Sequence, residues 1–518
     1  MVSAEFLGLA GVQVIEVERE ADGSWTVHVT SAPGSRPCCP GCGRAADRAK
    51  EAASHTLRHL VVTPARVTWH KSVFWCDNGE CAKESFAEAG PLVRAGGWVS
   101  EHARTVMGHL IGDWLVPVSR VAAAAGVSWH TAHDGFTSVA AEAGIVVTDT
   151  TASCRDDAQA SMETGTAVPG SGPGAVVRLA DRAARSVTGV LPPAGVLGID
   201  DHRRGKPLYH RDPASGAWVA DAGRWQSVFV DAAGGHGLLG QAEGRAGADV
   251  TGWLAARDPA WRAGVRHVTI DMSSVYKSAV TKSGLLPNAA LVVDLFHVVQ
   301  LANKMVGDVR RRVTFERHGR RGRATDLEYQ VKGLLVRGQE KLSKTSRHKL
   351  LCALADLGEA GRQIGAAWRA KERLRDLVKL SPNQTGLAPA RAQIAAALEA
   401  FFTFCATVGA GVPEIQALAE TVSLWRAEIC RGVATGHSNA AAEGINRLVK
   451  LVYRSGFGFT NVTSQQRRSR YAASRSTRPV WLSPTWFQQA SPDRDPPADA
   501  DVRQIRAVTT TWTQPVAA

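Results

Sequence analysis

Four acidic residues stand at positions where their chemistry could be shared. Asp200 closes an apolar run in "VLGIDDHRRGKPLYH", Asp271 does so in "VRHVTIDMSSVYKSAV", and Asp294 in "ALVVDLFHVVQLANK". Glu443 is the lone acid of "TGHSNAAAEGINRLVKLVYRSGFGFTN" (435–461), which is otherwise basic and aromatic in character. One Asp at a strand end is ordinarily a cap or turn residue. Three in one β-rich region, with a carboxylate heading a basic helix, suit a cage of hard oxygen ligands instead. Two divalent cations held ~3.5–4 Å apart by carboxylates drive phosphoryl transfer, one activating the attacking oxygen and one stabilising the leaving oxygen. Magnesium keeps several of its waters, so two or three carboxylates suffice to hold it. Lys and Arg around such a cage would grip a DNA backbone, which accounts for a single acid at the head of a basic helix.

The elements that must position these acids are legible as patterns. "AGVLGID", "WQSVFVD", "VRHVTID" and "AALVVD" read as short strands. Between about 304 and 432 the pattern is helical and charged. Ile445, Leu448, Val449 and Val452 recur at helical spacing, which places Glu443 near the start of a helix. Upstream, "VQVIEVERE" and "WTVHVT" alternate as a small hairpin. Cys39 and Cys42 in "CCPGCG", with Cys76 and Cys81 in "FWCDNGECAKESF", have the paired spacing of a structural zinc site, and Cys38 is a bystander. The second pair is spaced more widely than usual. "VSRVAAAAGVSWHTAHDGF" (118–136) reads as a helix-turn-helix, with Gly126 at the turn and Ser128 capping the second helix. Ser128, His130, Thr131 and His133 would then face DNA. The alternative is an ordinary helical hairpin. Residues 150–175 read as a linker, and the tail after Arg478 as poorly ordered.

Composition narrows the partners. A chain of 518 residues is too long for one core, and its net charge of +13 and pI near 9.5 favour an acidic partner. The charge is concentrated: residues 304–349 hold 14 Lys/Arg against 5 Asp/Glu, and residues 444–478 hold 8 against none. Arg310, Arg311 and Arg312 in the first run, and Arg447, Lys450 and Arg454 in the second, are the expected phosphate contacts. No run of 18 apolar residues marks a membrane span, and the N-terminus lacks a signal pattern. Nine cysteines, an odd count, argue against a disulfide framework. A bacterial-type cytoplasm, at the nucleoid, is the expected home.

The quoted blocks, together with "VFVDAAGGHGLLGQAEGRAGADVTGWL" and "LVVDLFHVVQLANKMVGDVRRR", resemble the ISL-three family of insertion-sequence transposases, in order along most of the chain. The resemblance implies a ribonuclease-H-like catalytic core interrupted by a helical insertion. It also implies Asp200, Asp271 and Glu443 as the triad that binds two Mg2+ ions. The expected organisation is α/β and multidomain: a zinc-binding module (1–90), a helix-turn-helix (91–149), a linker (150–194), the first part of the core (195–303), the insertion (304–432), the last part of the core (433–478) and a tail (479–518). The family usually has Glu after the first Asp. Here Asp201 stands there, leaving open which acid ligates, and Asp294 competes with Asp271. The "ALVVD" run favours Asp271, because it supplies one more core strand after that acid. The linker is longer than typical. His297 and Asn303 either organise the following helix or contact DNA.

The expected function is that of a DNA transposase that reads terminal inverted repeats, cleaves, and joins the freed 3′-hydroxyl to target DNA, as a homo-oligomer on paired ends. Zn2+ would be structural and Mg2+ catalytic. The alternatives are a non-catalytic DNA-binding regulator derived from such an enzyme and a structure-selective nuclease.

Overall fold

The computed structural model describes residues 4, 7–34, 36–60, 64–149, 185–188, 191–206, 209–220, 224–233, 235–459 and 461–474. Most of the expected linker and all of the tail beyond residue 478 lie outside them. Two compact units carry the described residues, one from residues 1–57 and 65–98, the other from Arg58–Pro64 and Val99–Arg478.

The first unit is a five-stranded sheet. β1 (Val12–Arg19) and β2 (Trp25–Ser31) form the antiparallel hairpin that the alternation announces, with a bulge between Val14 and Glu16. β3 (Ala49–Leu60), β4 (Pro64–Trp75) and β5 (Ser85–Ala87) complete it in the order β1-β2-β4-β3, with β5 on β4. Val27, Val29, Val67 and Trp69 are buried in one cluster, while Cys39, Cys76 and Cys81 sit in their own small cluster with Phe86.

The second unit begins with three helices, α1 (Glu101–Gly112), α2 (Val118–Ala125) and α3 (Trp129–Glu142). Gly126 ends α2 with φ 63°, and a side chain there would collide with the Arg58 guanidinium. Ser128 caps α3, its Oγ accepting from the Thr131 amide at 3.1 Å. Val121, Ala125, Ala132 and Phe136 are buried between these helices.

A five-stranded mixed sheet follows. β6 (Val196–Arg203) lies at its centre, antiparallel to β7 (Trp225–Asp231) and parallel to β9 (His267–Ile270). β8 (Leu238–Glu243) adds antiparallel to β7, and β10 (Ala290–Val293) adds parallel to β9, giving the order β8-β7-β6-β9-β10. The four sequence runs read as strands are β6, β7, β9 and β10. The parallel strands are short and almost wholly apolar, as strands covered on both faces are. One face, with Leu197, Ile199, Phe229 and Ile270, packs on α4 (Gly247–Ala255) and α5 (Ser274–Lys282). The other, with Val228 and Val230, packs on α12 (Ala440–Ser455) and α13 (Val462–Ala473).

Between β10 and α12 the described chain is helical. Its main helices are α6 (Leu295–His318), α7 (Lys344–Asp356), α8 (Glu359–Val378), α9 (Arg391–Ala406), α10 (Pro413–Leu424) and α11 (Arg426–Thr435). Val298, Ala302, Val309, Ile364, Leu374 and Phe401 join these helices and the sheet face into one core. No described helix is long and apolar enough to cross a membrane.

Candidate functional site

Strand alternation decides where the acids point. On β6, Leu197 and Ile199 enter the α5-side core, so Asp200 and His202 project toward α12 and Asp201 toward α5. The hydrogen bonds agree. Asn446 of α12 donates from Nδ2 to Asp200 Oδ2 at 2.6 Å, and the Tyr276 hydroxyl of α5 donates to Asp201 Oδ2 at 2.9 Å. Asp271 follows β9 directly. His297, in the first turn of α6, lies 3.0 Å from Asp271 Oδ1 and 3.9 Å from Glu443 Oε1, so one imidazole bridges those two acids. Its hydrogen bond to Asp271, with the charges of Asp294 and Glu443, holds it above the ordinary imidazole range.

Asn439 gathers these elements. Fully buried at the N-cap of α12, it donates from Nδ2 to the Ile199 carbonyl at 3.2 Å and to Asp271 Oδ1 at 3.4 Å. Its Oδ1 accepts from Thr269 at 3.3 Å, and its backbone amide donates to Asp294 Oδ2 at 2.7 Å. The ends of β6, β9 and β10 and the start of Glu443's helix are thereby tied at one residue. Asp294 has both oxygens engaged, since Oδ1 caps α6 through the Phe296 amide at 2.8 Å, and it is 4% exposed. Asp271 and Glu443 keep 34% and 40% of their side chains open to solvent. Burial, with the charges of Asp271 and Asp201 nearby, pushes Asp200 up to about 6, against the pull of the Asp201 amide and Asn446. Asp271 therefore lies near Asp200 and, through His297, near Glu443, whereas Asp201 and Asp294 are turned to other partners.

This is a donor set of hard oxygens in a partly desolvated setting where like charges meet, which suits Mg2+. Among the described residues, the four sulfurs of Cys39, Cys42, Cys76 and Cys81 are the one group of three or more potential ligands whose donor atoms all lie within 4.8 Å of each other. The three carboxylates do not meet that spacing.

The sulfur quartet fits a single tetrahedral ion. Cys39 and Cys81 sulfurs are 3.8 Å apart and those of Cys42 and Cys76 are 3.6 Å apart. Four thiolates ~2.3 Å from one zinc would be spaced by roughly 3.8 Å. Gly41 lets the knuckle close, for a Cβ there would stand 3.1 Å from the Cys81 sulfur. The Arg44 amide and the Asn78 side chain pull the Cys42 thiol down to about 6, while at Cys76 and Cys81 the Asn78 and Lys83 amides are outweighed by burial and the neighbouring thiols, which push both up. Cys38 is exposed and outside the quartet.

The expected DNA contacts divide into two kinds. Glu443, Arg447, Lys450 and Arg454 are spaced 4, 3 and 4 residues apart, so they form one stripe along α12, with the three cations exposed. In residues 304–349, five of the fourteen cations are held in ion pairs, Lys304 among them with Asp308 at 3.1 Å. Arg311 pairs with Asp308; Arg312 with Glu414 at 2.7 Å and Glu316 at 3.1 Å; Arg317 with Glu328 at 2.7 Å; Arg320 with Asp326 at 2.8 Å. Arg310 is half-buried beside them. On α3, Ser128 and His130 are exposed. Thr131 and His133 are half-buried, and the His133 ring stacks on Trp129 at 4.7 Å. Sequence reasoning missed Asn439 and Asn446, although "GHSN" lies within the quoted stretch. It also missed Arg203, Arg204 and Lys206, which follow the first acid directly and whose run of charge was the available signal.

Acids at adjacent strand ends thus lie beside a helix with a cationic stripe. The comparison with known families adds to this. The model of the DDE-type ISL-three family, described as a transposase, matches residues 218–469, a stretch that begins after Asp200 and takes in Asp271 and Glu443. Over that stretch, just under half of the chain, the sequence is similar to the ISL-three family of transposases. No curated protein and no solved structure matches the chain.

Proposed function

We propose that this protein is a DNA transposase that binds the ends of its own element and cleaves and joins DNA strands at Asp200, Asp271 and Glu443. The observation that carries the proposal is the knot at Asn439, which brings together the strand ends bearing Asp200 and Asp271 and the helix bearing Glu443. The sheet order β8-β7-β6-β9-β10, three antiparallel strands followed by two parallel ones, supports reading the core as ribonuclease-H-like, with the helices from α6 to α11 as its insertion. Mg2+ bound at the three acids would supply charge neutralisation at the reacting phosphate and an activated oxygen nucleophile. The chain's own part is to aim the ligands. Asn446 fixes the Asp200 carboxylate, Asn439 and His297 fix Asp271, and the α12 stripe of Arg447, Lys450 and Arg454 holds the adjoining backbone.

The α1–α3 block supports a helix-turn-helix reading, with α3 as the helix entering the major groove and Ser128, His130, Thr131 and His133 at its leading end. The cysteine quartet would hold a structural Zn2+. Action on paired ends implies a multimer on DNA, and a bacterial nucleoid is the setting that fits. The test is incubation with Mg2+, a labelled duplex of the element's end and a target plasmid. Nicked ends that go on to appear joined to the plasmid are expected. Nicks without joined products would make the protein a nuclease, and end binding without either product would make it a regulator.

A further inference from the structure

Beside the acids, on the far side of Asp200, β6 and α12 enclose a cleft of about 760 Å³. Arg203, Arg204 and Lys206 line it from the strand, and Lys450, Tyr453 and Arg454 from the helix. Asp201 is the one acid in its wall, and its Oδ2 is taken up by Tyr276. Among the described residues none of these five cations is in an ion pair, in contrast to Arg311, Arg312, Arg317 and Arg320. Arg204 Nη1 is buried without a hydrogen-bond partner. A buried cationic donor left unsatisfied is costly, so it marks a place for an anionic acceptor. Arg203 is held against the Trp225 ring at 4.7 Å, with Arg245 over the same ring at 4.0 Å.

We infer that this cleft binds one or two unpaired nucleotides of the DNA strand next to the cut, with their phosphates on the five cations and a base against Tyr453. The inference rests on the proposed function and says what that site does with its substrate. Three features carry it. Five unpaired cations against a single engaged carboxylate select a polyanion. The volume falls in the range of roughly 300–1,000 Å³ that encloses a small molecule, so it admits single nucleotides and excludes a duplex. Three residues of strand separate Asp200 from Arg203, about 10 Å, so a strand whose phosphate sits at the acids reaches the cleft within a couple of nucleotides. A cationic groove with an aromatic face is the general means of holding an unpaired strand. The duplex would therefore open beside the acids when it is cut.

The test compares the full-length protein with the Arg204→Ala/Lys206→Ala variant, both checked for the same thermal melt. A fluorescent ten-nucleotide oligo-dT and a fully paired element-end duplex are titrated over a salt series. For oligo-dT the variant should weaken binding by tenfold or more and lower the slope of log K against log salt by about 1.4, at roughly 0.7 for each phosphate no longer neutralised. Its duplex affinity should fall by less than threefold. A wild-type protein that binds and nicks the duplex, beside a variant with an unchanged oligo-dT slope, overturns the cleft assignment alone. A wild-type protein that neither binds nor nicks the duplex overturns the proposed function beneath it.

Discussion

Asn439 makes the site a single object. Its four hydrogen bonds reach residues 145 to 240 positions away, and each partner group is buried or half-buried. Asn439→Ala strands Thr269, the Ile199 carbonyl and Asp271 together while the backbone bond to Asp294 is kept, and leaving buried partners unpaired costs about 1–3 kcal/mol each. We expect the midpoint of urea unfolding to fall by an amount equivalent to at least about 2 kcal/mol, and DNA nicking to be lost while end binding persists. A second expectation at this scale concerns acid. Burial holds His102 and His133 below the ordinary imidazole range, with Arg467 adding to the effect at His133. The unfolded chain then takes up protons below pH ~6.5 that the folded chain refuses, so stability falls as pH drops through that value. Melts of the wild type should lose several degrees between pH 7.5 and pH 5, and His102→Gln/His133→Gln should flatten that dependence. The acids themselves were legible in the sequence because each closes an apolar run or heads a patterned helix. The two asparagines were not, since a lone Asn reads as a turn or cap residue until the fold brings its distant partners to it.

At the scale of elements, pairing decides which charge is available. The run from 304 to 349 is the more basic in sequence, yet α6 turns Arg311 to Asp308, Arg312 to Glu316 and Glu414, and Arg317 to Glu328, and the following loop turns Arg320 to Asp326. The run after 444 has no acid to answer it, and α12 aligns its cations on one stripe. Arg312→Ala should therefore reduce stability by about 1–2 kcal/mol, through loss of the α6–α10 link, and leave the salt dependence of duplex binding unchanged. Arg447→Ala should do the reverse, lowering the duplex salt slope by about 0.9 with little change in the melt. A filter-binding salt series on both variants separates the two roles. Strand runs and helical periodicity disclosed the mixed α/β architecture in advance, because apolar spacing is a local property. The pairing of Arg312 was hidden, because Glu414 reaches it from more than a hundred residues away.

The whole molecule joins a sulfur-bearing sheet unit to a unit that carries the acids and the helices. The paired cysteines were legible from spacing alone, and the ISL-three resemblance extends over the region of the family match. If the quartet closes on zinc, the purified protein should carry about one zinc per chain, and Cys76→Ser should carry none. Because the energy of binding such an ion is folding energy, that variant should also become sensitive to protease within residues 1–98 while the second unit keeps its melt. The account as a whole turns on three carboxylates from distant parts of the chain acting as one site. The most direct measurement is Mg2+-dependent nicking of an element-end duplex by the wild type and by Asp200→Asn, Asp271→Asn and Glu443→Gln. All four proteins should bind the duplex with similar affinity, and only the wild type should cut it, the variants falling by at least about a thousandfold. Any of the three variants cutting at a rate near that of the wild type would contradict the account.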